Sequence, residues 1–140
     1  MTMISTRGRY ALRVLVDLAE NRNDGYIPMK SVAERQEISL KYLEKILPVL
    51  AKNHYIEGVH GKGGGYRLAK DPKDCNVGDI LRLTEGDLAP VSCLSCKGEP
   101  CSRASECRTL GMWSKFQNII DDYFDNITIA DLMKNPSEKK

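Results

Sequence analysis

A chain of 140 residues with 41% hydrophobic and 29% charged content can bury one core and shows no low-complexity tract. No apolar run is long enough to span a bilayer, and Met1-Thr2-Met3-Ile4 reaches Arg7 without a secretory core, so a cytoplasmic protein is expected. The net charge of +2 hides a division: residues 1–70 carry twelve Lys or Arg against seven Asp or Glu (+5), and residues 71–140 nine against twelve (−3), which points the first half toward a polyanion.

Residues 7–20 place Leu12, Leu15, Leu18 and Ala19 on one helical stripe with the charges outside it. After the turn formers Asn23-Asp24-Gly25, Pro28 precedes a short helical segment at 29–36, in which Val32 and Ala33 can face inward. A three-residue turn, Glu37-Ile38-Ser39, leads into the next helix. Ser39 is a good N-cap, and Ile38 before it can pack on Leu43 as a hydrophobic staple. Leu43, Ile46, Leu47 and Leu50 form the buried stripe, leaving Lys41, Tyr42, Glu44 and Lys45 exposed on the first turns. Pro48 lacks the N–H that would bond to Glu44 and is expected to kink the second half of the helix or end it early.

Two helices joined by so tight a turn make a helix-turn-helix, whose second member usually enters the major groove of DNA. Lys41 and Lys45 suit phosphates or guanine edges, Glu44 can accept from cytosine, and Tyr42 can contact the backbone. The plainer alternative is a helical hairpin with a solvated polar face. The next segment of the chain favours DNA: residues 55–60 and 66–69 read as two strands around Gly61-Lys62-Gly63-Gly64-Gly65, a hairpin with a glycine-rich tip. Lys62 at that tip could meet a phosphate or enter the minor groove. The glycine run lacks the spacing of a Walker motif and leads into a strand, which argues against nucleotide binding.

Asn76 can cap a further helix containing Val77, Ile80, Leu81 and Leu83, with Asp79 placed to reach back. Residues 86–106 are then polar and rich in turn formers, yet Cys93, Cys96, Cys101 and Cys107 crowd within fifteen residues. Core packing does not explain them, and a reducing cytosol disfavours cross-links. Thiolates this close suit an iron-sulfur cluster or a structural zinc. Cys93 and Cys96 could also be a thiol-disulfide pair, but no βαβ unit precedes them, and no Ser/His/Asp or paired-carboxylate constellation exists, so an enzyme is not expected. Cys75 stands apart and reads as a small packed residue. From Ser105 a longer helix carries Leu110, Trp113, Phe116, Ile120 and Tyr123 at steps of three or four. Such a stripe either packs on its own core or pairs with its twin in a two-fold homodimer able to address two half-sites. Thr128 with Asp131 marks a last short helix, and residues 136–140 are expected to fray.

The segments Ser5-Thr6-Arg7-Gly8-Arg9-Tyr10-Ala11, Ile38-Ser39-Leu40-Lys41-Tyr42-Leu43-Glu44 and Gly63-Gly64-Gly65-Tyr66, together with Asn76-Val77-Gly78-Asp79-Ile80 and Asn126-Ile127-Thr128, stand in an order and spacing that resembles the winged-helix bacterial repressor family containing IscR, NsrR and CymR. The similarity covers nearly the whole chain. It implies a mainly α fold with one small β-hairpin, divided into a winged helix-turn-helix domain at 1–86, a cysteine-rich cluster and sensor loop at 87–107, and a long dimerisation helix with a short C-terminal helix at 105–135. It also implies a homodimeric regulator of a double-stranded DNA operator, commonly holding an iron-sulfur cluster, with 2Fe-2S expected ahead of 4Fe-4S and zinc as the alternative. By position, Cys101 and Cys107 match the second and third cluster cysteines, and either Cys93 or Cys96 the first. Where the IscR-like pattern has a histidine this chain has Leu110, so the fourth ligand falls to the spare cysteine or to an N-terminal side chain of the partner subunit. Ser39, Tyr42 and Glu44 match recognition-helix contacts, and His60, next to Gly61 and Lys62, replaces the family's wing arginine, which alters charge and with it sequence preference or affinity. A CymR-like member would act with a cysteine-biosynthetic enzyme as partner.

Overall fold

A computed structural model describes residues 4–61, 64–91 and 106–133. The elements among them are α1 (Thr6–Glu20), α2 (Met29–Gln36), α3 (Leu40–Lys52), β1 (Ile56–Val59), β2 (Gly65–Leu68), α4 (Val77–Glu85), α5 (Leu110–Asp125) and α6 (Ile129–Leu132). Short 3-10 turns at Arg22–Asp24 and Pro72–Asp74 connect them. No described helix is long and apolar enough to cross a membrane.

The central element is α1, which packs on α2, α3, α4, α6 and β2. Ser5 starts it by accepting the Gly8 amide at 3.4 Å. Its deepest face is Ala11, Val14, Leu15, Leu18 and Ala19, all fully buried, whereas Leu12 is half-buried and bridges the main core to a second cluster. The expected stripe is therefore rotated to admit Ala11 and Val14, because α1 has neighbours on several sides rather than one.

Local chemistry sets the helix-turn-helix. Ser39 Oγ accepts the Tyr42 amide at 3.1 Å, and Ile38 and Leu43 lie buried in the same core cluster, as a staple requires. Glu37 closes α2 in the left-handed region at φ 54°, where its amide bonds to the Ala33 carbonyl. Pro48 does not end α3, which continues to Lys52. Loss of one backbone bond and the ring clash costs about 3 kcal/mol, while burying Leu43, Ile46, Leu47 and Leu50 contributes about 1.5–3 kcal/mol each. Packing wins.

The hairpin pairs Ile56 with Leu68, Glu57 with Arg67, Gly58 with Tyr66 and Val59 with Gly65, one residue shorter at each outer end than the sequence suggests. Ile27 joins as a bridging third segment, its amide donating to the Tyr66 carbonyl at 2.8 Å and its carbonyl accepting the Tyr66 amide at 2.9 Å. Gly65, at φ 153°, lies so close to the Ile27 carbonyl that a β-carbon would collide with it. The linkage between α2 and the hairpin therefore needs glycine at that position.

Asn76 caps α4 by accepting the Asp79 amide at 3.0 Å. Asp79 does not reach back as expected; its carboxylate lies 3.5 Å from Arg82. The chain returns beside this cap, where Val77 donates to the Ile127 carbonyl and Ile129 to the Cys75 carbonyl, both at 2.9 Å. Thr128 and Asp131 form the full capping box of α6. Ser105, the expected start of the long helix, and residues 136–140 lie outside the described residues; α5 begins at Leu110. Its apolar positions form two faces rather than one stripe. Ile120 is buried with Val77, Leu81 and Leu88 and is backed by Phe124, while Met112, Phe116, Ile119 and Tyr123 point away from the core, the last two at 64% exposure.

Candidate nucleic-acid interface and sulfur site

Ser39, Lys41, Tyr42, Glu44 and Lys45 all fall on the cap and first turns of α3, as the sequence suggests. Lys41, Glu44 and Lys45 are exposed, and within the described residues none makes an ion pair within 4 Å. Cations and a carboxylate left unpaired on a helix N-terminus are available to phosphates and base edges. Leu40, also exposed, starts the helix beside them. Tyr42 differs from this group. It is half-buried, and its ring meets Tyr10 of α1 edge-on, so it fixes the start of α3 as well as facing outward.

A polar clamp that pattern reading did not find supports this helix pair from behind. The buried Asp17 carboxylate of α1 accepts Arg35 Nε at 3.0 Å, an Arg35 terminal nitrogen at 2.7 Å and Gln36 Nε2 at 2.9 Å. Arg13 extends it by donating to the Gln36 carbonyl and, at 3.2 Å, to its side-chain oxygen. The hydrogen bonds to Asp17 hold Arg35 even more firmly protonated than usual. The only sequence signal was a charge, Asp17, at the edge of an apolar stripe; its partners lie eighteen and nineteen residues away.

On the hairpin, His60 and Gly61 are exposed beside the tip, with Gly61 at φ 97°, while Lys62 lies outside the described residues. Behind them, Arg67 pairs with Glu57 across the strands and stacks over Tyr26 with its guanidinium 4.6 Å from the ring centre. This cross-strand pair and stack brace the wing; the pair also holds Arg67 protonated.

Of the four clustered cysteines, Cys93, Cys96 and Cys101 lie outside the described residues. Cys107 is half-buried three residues before α5, its Sγ 3.3 Å from Thr109 Oγ1, and the neighbouring Leu110 offers no donor atom. Among the described residues no group of three or more His, Cys, Asp or Glu comes together to hold a metal. The donor chemistry of the loop, four thiols within fifteen residues, nonetheless fits a thiolate-held metal or cluster. Cys75, by contrast, is fully buried, and burial pushes its thiol up to about 11. It packs as a small apolar residue.

A helix-turn-helix followed by a strapped hairpin, with charges exposed on the second helix, defines a winged-helix protein of the kind that regulates transcription. Comparison places it within that class. Residues 4–135 match the Rrf2 family, described as iron-dependent transcriptional regulators, and the chain belongs to that family. It is 34% identical over 132 residues, 94% of its own length and 79% of the relative's, to the HTH-type transcriptional regulator IscR of Yersinia pestis. Among solved structures it is similar to T. potens IscR (34% identity, TM-score 0.70, covering 92% of this chain and 84% of that one). It is also similar to CymR, the global cysteine regulator of B. subtilis (31% identity, TM-score 0.76, covering 94% and 96%). These relatives are regulators rather than enzymes, in line with the sequence expectation.

Proposed function

We propose that the chain acts as a homodimeric repressor in the cytoplasm that grips a double-stranded operator with two copies of α3 and the hairpin. The observation that carries this is the set of exposed Lys41, Glu44 and Lys45, without an ion pair among the described residues, on a helix whose pose is fixed from behind by Tyr10 and the Asp17 clamp. His60, Gly61 and Lys62 supply the wing contacts, and Ser39 and Tyr42 complete the reading edge. The exposed stripe Met112, Phe116, Ile119 and Tyr123, at heptad-like steps, is the surface on which two copies pair. Function divides accordingly into a DNA-binding unit at 1–86, a sensing loop at 87–107 and a dimerisation segment at 105–135.

Cys93 or Cys96, with Cys101 and Cys107, would hold an iron-sulfur cluster, 2Fe-2S ahead of 4Fe-4S, and the remaining cysteine or a partner side chain would complete it. Such a cluster supplies a redox-responsive and oxidant-labile group to a protein whose other parts bind DNA. The loop joins the end of α4 to the start of α5, so its loaded and empty states can favour different poses of the two wings, which is what a ligand must do to change affinity. Binding of duplexes enriched from a random library, compared for anaerobic cluster-loaded and cluster-free protein, tests this. Affinities that differ support the reading, and equal affinities overturn the sensing part of it. A colourless protein carrying stoichiometric zinc would replace the cluster with a structural metal.

A second reading rests on the fit to CymR, which spans 96% of that chain. Here the regulator answers to sulfur supply through a cysteine-biosynthetic enzyme bound as partner. Co-purification of such an enzyme that shifts operator affinity would favour it.

A further inference from the structure

The connection between α4 and α5 is built from two unlike parts. One is apolar: Ile120 lies among Val77, Leu81 and Leu88. Contacts of that kind are non-directional, and one buried side chain of α5 backed by Phe124 sets the crossing angle only loosely. The other part is a charged fork centred on Arg82. Its two terminal nitrogens reach Asp125 Oδ1 at 2.7 Å, Asp125 Oδ2 at 3.0 Å and Asp121 Oδ1 at 2.9 Å, and Asp79 stands 3.5 Å away on α4 itself.

Three further features converge on the same two aspartates. Gln117 Nε2 donates to Asp121 Oδ1 at 3.1 Å, which fixes that oxygen from within α5. Asn76, the cap of α4, donates its amide to the Asp125 carbonyl. Gly78 leaves open the space that Asp125 Oδ1 fills, and a β-carbon there would collide with it. The bonds to Asp125 and Asp121 hold Arg82 firmly in its charged form. The C-terminal half of α5 is thus pinned to α4 in rotation and in tilt. Among the described residues no such fork reaches the first half of α5, in which no residue is fully buried.

We propose that Arg82 is a positioning residue for operator recognition: its fork sets the angle between the α4-bound winged helix and the dimerisation helix, and so the separation at which a dimer meets two half-sites. The proposal rests on the dimeric DNA-binding function above. Half-sites must face the same side of the duplex about one turn apart, so a small change of tilt at each copy is doubled by the two-fold axis and appears as a change in preferred spacing. Arginine is needed for its geometry as well as its charge. A lysine neutralises one carboxylate as a point charge but cannot fork across Asp121 and Asp125. Without a cation, Asp121 and Asp125 of α5 face the Asp79 carboxylate of α4 with nothing between them to neutralise the charge, and the like charges push α5 off α4.

The test uses full-length protein and a duplex enriched from a random library by the wild type, remade with base pairs inserted or deleted between its half-sites. R82Q and R82K are compared with the wild type for affinity across the spacing series, with dimer mass and melting temperature measured alongside. Wild type should prefer one spacing sharply. R82Q should lose about tenfold at that spacing, the equivalent of about 1.4 kcal/mol, and lose less or gain at its neighbours, with R82K between the two. A merely structural role would lower melting temperature and weaken every spacing alike, and would overturn the proposal. If R82Q does not fold, D121N, which keeps the Arg82–Asp125 pair, gives the same comparison, and an unchanged profile there also overturns it. A wild type that binds duplex without any spacing preference overturns the clamp alone. One that binds no duplex at low salt overturns the DNA-binding reading together with it.

Discussion

Tyr42, on the first turn of α3, meets Tyr10 of α1 edge-on, with ring centres 5.3 Å apart and planes at 75°. The Arg13 guanidinium lies over the Tyr10 ring, 5.2 Å from its centre, and continues into the Gln36 contact. The pose of α3 is thus carried in part by Tyr10 and Arg13 of α1. A double-mutant cycle of Y10L and Y42L should give a coupling of about 1 kcal/mol in urea unfolding. Y10L alone should weaken duplex binding, measured by fluorescence anisotropy, although Tyr10 belongs to the supporting helix. Strictly additive unfolding energies would deny the contact its role.

The Asp17–Arg35 pair predicts an asymmetry. The Asp17 side chain is 2% exposed and that of Arg35 is 42% exposed. Removing Arg35 strands a buried carboxylate, whereas removing the carboxylate lets arginine return to water. R35A should therefore cost about 3 kcal/mol, and D17N about half of that, since it keeps a neutral acceptor in place. Chemical denaturation of the two variants gives the order directly, and D17N costing more than R35A would reverse the argument.

These two relationships mark where sequence reading reached its limit. Ser39, Asn76 and the Thr128–Asp131 box act over three residues, and each was legible because capping is local chemistry. Ile38 with Leu43 and the glycine-tipped hairpin were legible for the same reason. The Asp17 clamp and the Arg82 fork join residues 18 to 43 positions apart, and no short-range pattern announces them. Reading α5 as one stripe failed for a related reason. Phe116 and Ile120 are four apart and fit a single stripe, yet Ile120 faces α4 and Phe116 the outside, a division that depends on where α4 lies. The start of that helix was misplaced because Ser105 is a good cap by type, whereas Thr109 takes the position and makes no side-chain cap bond. The sulfur site was legible only as a spacing, since three of its four cysteines lie outside the described residues.

Cys75 gives a pH dependence of definite sign. Its folded thiol is raised from about 9 to about 11, so the native state keeps a proton that the unfolded chain loses first. The contribution to stability is fully present below pH 9 and is lost as pH rises through 11. Urea midpoints should fall across that window, and C75A should flatten the fall. Native protein should also resist alkylation at Cys75 while the unfolded protein reacts. An unchanged slope in C75A would remove burial as the cause.

The exposed charges of α3 should separate into two behaviours. K41A and K45A, if they neutralise phosphates, should weaken binding to all duplexes and each lower the salt slope of log affinity by about 1. E44A, if it accepts from a base, should relax preference at one position by about 1–3 kcal/mol with little change in salt slope. Binding titrations over a range of salt on the enriched duplex and its single-base variants distinguish them. Identical behaviour of all three would place α3 outside the groove.

In the proposed assembly two copies, paired through the outer face of α5, hold one operator. Ile119 is 64% exposed, so I119E should leave each subunit folded, within about 0.5 kcal/mol of the wild type, while placing like charges at the pairing surface. The most direct measurement is the mass of the protein–duplex complex by sedimentation, for wild type and I119E. The expected result is two chains per duplex for the wild type, with I119E folded, monomeric and unable to hold the duplex. One wild-type chain per duplex, or undiminished binding by monomeric I119E, would contradict it.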